Sequence, residues 1–91
     1  MPIIQGQVVD PEGHPLAEAA VYFVAAPVTM PDVAQLTNGD GKFSAYVGAP
    51  GHYTLGVRSD EWGEARKDVN VIGEDPVTIE VRFDKLEGEE Q

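Results

Sequence analysis

Two histidines, one tryptophan and a short run of turn residues are the parts of this 91-residue chain that could carry chemistry. His14 follows Asp10 and Glu12 in a stretch rich in proline and glycine, and His52 opens an alternating apolar run. A general base needs an orienting partner and a pocket next to the group it deprotonates. No recognised motif sets a serine or a carboxylate beside either imidazole, so both read as exposed polar residues. Asn38-Gly39-Asp40-Gly41 has the oxygens to begin a calcium loop. Such a loop needs ligands at alternate positions and a bidentate glutamate further on. Lys42 and Phe43 follow instead, and the four residues suit a tight hairpin turn, where positive φ is required. There is no cysteine, which removes thiolate metal sites and thiol catalysis. No metal and no cofactor are expected.

Trp62 lies among Asp60, Glu61, Gly63 and Glu64, where no core alternation calls for it. An aromatic exposed on a rigid scaffold offers a flat face to a sugar ring or a protein partner at little entropic cost. The alternative is that Trp62 folds back and caps one end of the core. Tyr22 and Tyr46 fall out of phase with the apolar stripes of their segments, and Val24 adds to the apolar outer side of the segment that holds Tyr22. Trp62, Tyr22, Val24 and Tyr46 are therefore the candidate binding residues. No catalytic or metal-ligating residue is assigned.

The elements that must position these residues are strands. Thr37 to Ser59 reads as a tight turn followed by two strands joined by a short loop. Phe43, Ala45 and Val47 alternate with Lys42, Ser44 and Tyr46, and Tyr53, Leu55 and Val57 alternate with His52, Thr54, Gly56 and Arg58. A period of two means half-buried strands. Ile4, Gly6 and Val8 share a face in a first strand over Ile3 to Val9, which Asp10 to Pro15 must end. A second strand, Ala19 to Ala26, is apolar on both faces; it is either central or covered on its outer side by a loop or another subunit. Two prolines keep Pro27 to Pro31 out of a regular central strand. A short third strand runs from Val33 to Thr37, Asp60 to Glu64 is a polar loop, and the last strands span Arg66 to Ile72 and Pro76 to Phe83. Seven short strands with turn signals between them, and no convincing helix, predict an all-β, antiparallel seven-stranded sandwich with Greek-key connections. An edge-closed barrel is the alternative.

One domain, residues 1–83, accounts for the chain, followed by an acidic tail over 84–91 that is expected to be disordered. Sixteen acidic residues against six basic ones give a formal charge of −10. That excludes nucleic acid and anionic membrane as partners, since both need clustered Lys and Arg. No signal peptide or spanning segment is visible. A full gene product of this kind is expected in the cytoplasm, whereas a domain cut from a secreted protein would read the same and be extracellular.

Taken in order, Ile4-x-Gly6-x-Val8-x-Asp10, Gly13-x-Pro15-Leu16-x-x-Ala19-x-Val21, Thr37-x-x-Asp40-Gly41-x-Phe43, Gly51-x-Tyr53-x-Leu55-x-Val57 and Val69-x-Val71 resemble the carboxypeptidase regulatory-like domain. The match runs from Ile3 to Phe83. It implies a transthyretin-like (prealbumin-like) sandwich and a non-catalytic folding or binding module.

The resemblance also brings in two chemistries to weigh. Transthyretin-like hydroxyisourate hydrolases share the fold and use histidine, arginine and a C-terminal Tyr-Arg-Gly-Ser motif. Gln7 stands where that class has a histidine, and this chain ends Glu-Gly-Glu-Glu-Gln. Adhesin repeats on the same sandwich form an isopeptide bond from a first-strand lysine, which is absent here. The leading expectation is a non-enzymatic module that binds a protein through a sheet face or end loops. The alternative is a polysaccharide-binding module using surface aromatics, with the hydrolase third. Self-association through an unpaired edge or the second strand stays open.

Overall fold

Alternation and turn chemistry lead to seven strands in the computed structural model, which describes residues 2–29 and 34–84. They are β1 (Ile3–Val9), β2 (Ala20–Ala25), β3 (Gln35–Leu36), β4 (Lys42–Tyr46), β5 (Gly51–Ser59), β6 (Gly63–Val71) and β7 (Val77–Arg82). Val33, the expected start of the third strand, and the tail from Lys85 onward lie outside the described residues. No helix is present among those described.

The strands form two sheets, one of order β4-β1-β7 and one of order β3-β2-β5-β6. Strands that touch, such as β2 with β5 and β1 with β4 and β7, are distant in sequence, as a Greek-key sandwich requires. All pairs are antiparallel except β1 with β7, which run parallel. Parallel neighbours need a crossover between them. Here β2 to β6 intervene, so the first and last strands can lie side by side.

The inward residues are those that alternation selects. Ile4, Val8, Val21, Phe43, Val47, Tyr53, Leu55, Val57, Val69, Val71, Val81 and Phe83 fill the space between the sheets. Phe23 meets Tyr53 edge to face, with centroids 5.7 Å apart, and the Tyr53 hydroxyl donates to the Ala49 carbonyl. Gly6 is inward too. A Cβ there would stand 2.6 Å from the Ile79 carbonyl and 2.9 Å from Phe43 Cζ. The glycine thus admits side chains of its own sheet, β4 and β7, which lean together over β1.

Two expectations need correction. The Asn38–Gly41 turn is tight, but it does not join paired strands: β3 pairs with β2 and β4 with β1. Its closing bonds, Asn38 N–H to the Lys42 carbonyl and Gly41 N–H to the Asn38 carbonyl, carry the chain from one sheet to the other. The polar loop expected over Asp60 to Glu64 is shorter, because Gly63, at φ +85°, lets β6 begin there, opposite Ser59. As its two apolar sides suggest, β2 is an interior strand, between β3 and β5, and it ends irregularly. The β2–β5 register slips between Phe23 and Ala25, so Val24 sits in a bulge and both Val24 and Ala25 are exposed.

Where the chain changes sheets, Thr37 is the one buried residue of polar type among those described. Its hydroxyl donates to the Leu16 carbonyl at 2.7 Å and accepts the Ala19 N–H at 3.0 Å. Its backbone accepts from Glu18 and donates to Ala19. Thr37→Val keeps the shape and strands both partners. The expected cost is about 1–3 kcal/mol, read as a lower urea midpoint with an unchanged m-value.

Candidate functional site

The outer face of the four-stranded sheet is built around a missing side chain. Gly56 lies between Tyr22 on β2 and Arg66 on β6. A Cβ on Gly56 would come within 2.5 Å of Tyr22 Cε2 and 2.7 Å of Cζ, so the tyrosine ring occupies the notch that the glycine leaves. Arg58, two residues along β5, brings its guanidinium carbon to 5.8 Å from the ring centroid, within cation–π range. On the next strand Leu36 stands opposite Ala20 and is 62% exposed, and Val24 is 41% exposed in its bulge. Leu36, Ala20, Tyr22 and Val24 thus follow one another across this face as an apolar strip.

Polar pairs border the strip. Arg58 Nε meets Glu64 at 3.2 Å, the Thr54 hydroxyl donates to Asp68 at 2.9 Å, and the His52 ring nitrogen lies 2.8 Å from Asn70 Oδ1. Arg66 has no ion pair among the described residues. Arg58 and Arg66 thus share one sheet face with Tyr22 in a chain of formal charge −10.

The four residues singled out from the sequence do not form one surface. Tyr22 and Val24 share the face just described. Tyr46, 68% exposed, is on β4 opposite Ile3, at the outer side of the three-stranded sheet. Trp62 lies in the β5–β6 turn, half-buried against the core, where Ser59 Oγ accepts the Glu61 and Trp62 N–H groups. Its indole Nε1 is buried without a hydrogen-bond partner among the described residues. Leu36, Arg58 and Arg66 were not picked out from the sequence. The usable signal was Gly56 in mid-strand, which marks a close approach by a neighbour.

The three-stranded sheet presents a different surface. Gln5, Gln7, Lys42, Ser44, Thr78 and Glu80 line an open concavity of about 650 Å³. Gln5 Nε2 donates to Thr78 Oγ1 at 3.3 Å and Gln7 Nε2 to the Asp40 carbonyl at 2.9 Å. Glu80 meets Arg82 at 3.3 Å. Neither histidine lines this concavity. The Asn38 side-chain oxygen, a candidate calcium ligand, accepts the Asp40 and Lys42 N–H groups, and no cluster of metal-binding residues occurs among those described.

His14 belongs to a turn. Asp10 Oδ1 accepts the N–H groups of Glu12 and His14 at 2.9 and 2.8 Å, and Asp10 Oδ2 lies 3.3 Å from His14 Nδ1. These bonds, the His14 N–H foremost, hold the Asp10 carboxyl below the ordinary aspartate range. The imidazole is mostly exposed, and this arrangement closes a loop over β1, where Pro15 bridges Val9.

The model of the carboxypeptidase regulatory-like domain matches residues 3–84. Among solved structures, the 5-hydroxyisourate hydrolase of Klebsiella pneumoniae superposes with a TM-score of 0.61 at 20% identity, covering 91% of this chain and 92% of that one. At that identity the likeness is one of fold, and the fold is transthyretin-like. No curated protein matches the chain.

The lowered Asp10 pKa makes a pH prediction. A carboxylate stabilised in the folded state contributes above its unfolded pKa and loses that contribution as pH falls through its folded value. Asp10→Asn should therefore lower the melting temperature at neutral pH. The gap to wild type should close as pH drops below about 4, and parallel thermal melts across that range test it.

Proposed function

Since the chain belongs to the carboxypeptidase regulatory-like domain family, we propose that it is a non-enzymatic accessory module whose four-stranded sheet binds a protein partner. The observation that carries this reading is the tyrosine laid into the Gly56 notch with Arg58 against it and exposed Val24 and Leu36 on either side. Tyrosine and arginine dominate binding energy at protein interfaces, where an aliphatic surround excludes water. The ring is already seated, so little conformational freedom is lost on binding. The rest of the sandwich serves as a rigid mount.

The non-enzymatic part of the reading is supported by the side chains of the concavity. Its titratable groups are Lys42 and Glu80, on opposite strands flanking β1, and Gln7 stands between them. A glutamine amide neither takes nor gives a proton near neutral pH. Steady turnover of 5-hydroxyisourate above the spontaneous rate would overturn this part.

A second reading rests on the same concavity. Its floor of glutamine, serine and threonine side chains, with Tyr46 on the same outer side, has the hydrogen-bonding groups and the aromatic plane that a neutral polysaccharide uses.

Three substitutions separate the readings. Proteins recovered on the immobilised chain are purified and titrated against Val24→Asp, Tyr22→Ala and Tyr46→Ala. On the first reading Tyr22→Ala weakens binding by about 2 kcal/mol, roughly thirtyfold, Val24→Asp weakens it as well, and Tyr46→Ala leaves it unchanged. Calorimetric titration with soluble polysaccharides gives the converse test. Binding lost in Tyr46→Ala but kept in Val24→Asp would move the function to the three-stranded sheet.

A further inference from the structure

The two sheets differ by one strand, and the difference leaves one edge open among the described residues. β7 ends the smaller sheet on the side where β6 ends the larger one. Exposed edges invite strand addition, and three of the four here are closed by identifiable means. β3 has only two residues. On β4, the Ser44 N–H is taken by Gln35 Oε1 at 3.1 Å. β6 carries Lys67 on its inward side, opposite Leu55, where the side chain is nevertheless exposed.

β7 has none of these protections. Its inward residues are Val77, Ile79 and Val81, and among the described residues no side chain bonds to its backbone. Val81 is buried, but Val77 and Ile79 are only half-buried although they pack on the core. Across the gap, the inward side of β6 offers half-buried Ala65 and the ammonium of Lys67, which has no ion pair among the described residues. An apolar strip and a lone cation therefore lie where a fourth strand of the smaller sheet would run.

We infer that β7 accepts an extended segment of another protein as that fourth strand. Backbone hydrogen bonds would hold it, and alternate side chains would point inward, as in strand addition generally. Its inward residues must be aliphatic over Val77, Ile79 and Ala65, with one carboxylate placed to meet Lys67. Residues 85–91, Lys-Leu-Glu-Gly-Glu-Glu-Gln, contain a single large apolar side chain and lack this alternation. A second copy would bring a further formal charge of −10 to the edge.

The test uses the full chain, labelled with nitrogen-15, and the peptide acetyl-Lys-Val-Thr-Val-Thr-Glu-Thr-Val-Lys-amide as probe. Shift changes and slowed amide exchange should concentrate on Val77 to Arg82. Replacing the glutamate of the peptide by lysine should weaken binding about tenfold, the scale of a partly desolvated charge pair. Lys67→Glu, a change at an exposed side chain, should reverse that preference. Absence of any effect on β7 at millimolar peptide overturns the inference, as does binding indifferent to both charge changes. Protection of the outward β7 amides without peptide also overturns it. If that protection rises with protein concentration the edge belongs to a second copy, and if it does not, to residues 85–91.

Discussion

The sandwich depends on the bonds that Thr37 makes where the chain changes sheets. Leu16 to Ala19 lead from β1 toward β2, and Thr37 leads from β3 toward β4, so both passages cross between the layers. Thr37 ties them with two side-chain and two backbone hydrogen bonds. The tie continues to β1, because Leu16 N–H donates to the Val8 carbonyl and Val8 N–H to the Gly41 carbonyl. Buried polar groups without partners are costly, so a fully satisfied node of this kind specifies one arrangement of the passages. Glu18 adopts φ +62° within it, an uncommon conformation for a non-glycine residue that the surrounding bonds hold in place.

Two glycines then decide what the sheets show to the inside and the outside. Gly6 gives up its side-chain volume to Ile79 and Phe43, which lets β7 and β4 close over the central strand. Gly56 gives up its volume to Tyr22 and thereby turns a sheet-face tyrosine into a seated ring beside Arg58. Each glycine weakens its strand intrinsically, since it carries more conformational entropy to lose. The large aromatic contacts offset that cost. The four-stranded sheet thus has the core on one side and a partly exposed aromatic and aliphatic strip on the other.

Charge separates the surfaces further. A formal charge of −10 opposes the approach of a second copy at low salt, while Arg58 lies over Tyr22, Arg66 lies across β5 from it, and Lys67 is on the inward side of β6. Cations placed at otherwise apolar positions select among partners more than they add affinity. The proposed binding face and the proposed strand-accepting edge are compatible on one small sandwich because the strip on β2 and the edge of β7 lie on different sheets.

The period of two, with turn residues between the runs, was enough to determine all-β structure, and outside β2 it picked out nearly every inward residue. Alternation is a property of the backbone pleat, and each strand reports it without reference to its neighbours. The positive-φ turns at Gly13 and Gly41 were legible for the same local reason. The parallel pairing of β1 with β7, the separation of β3 from β4 into different sheets, and the bulge at Val24 were not, because each depends on which distant strand supplies the partner hydrogen bonds. The candidate residues divide along the same line. Tyr22 and Tyr46 are both outward by phase, but only the sheet order places them on opposite layers, and only the turn geometry at Ser59 and Gly63 lays Trp62 against the core. A sequence records which side of a strand a residue takes. Where that side lies, and what faces it, is set by pairings that only the folded chain makes.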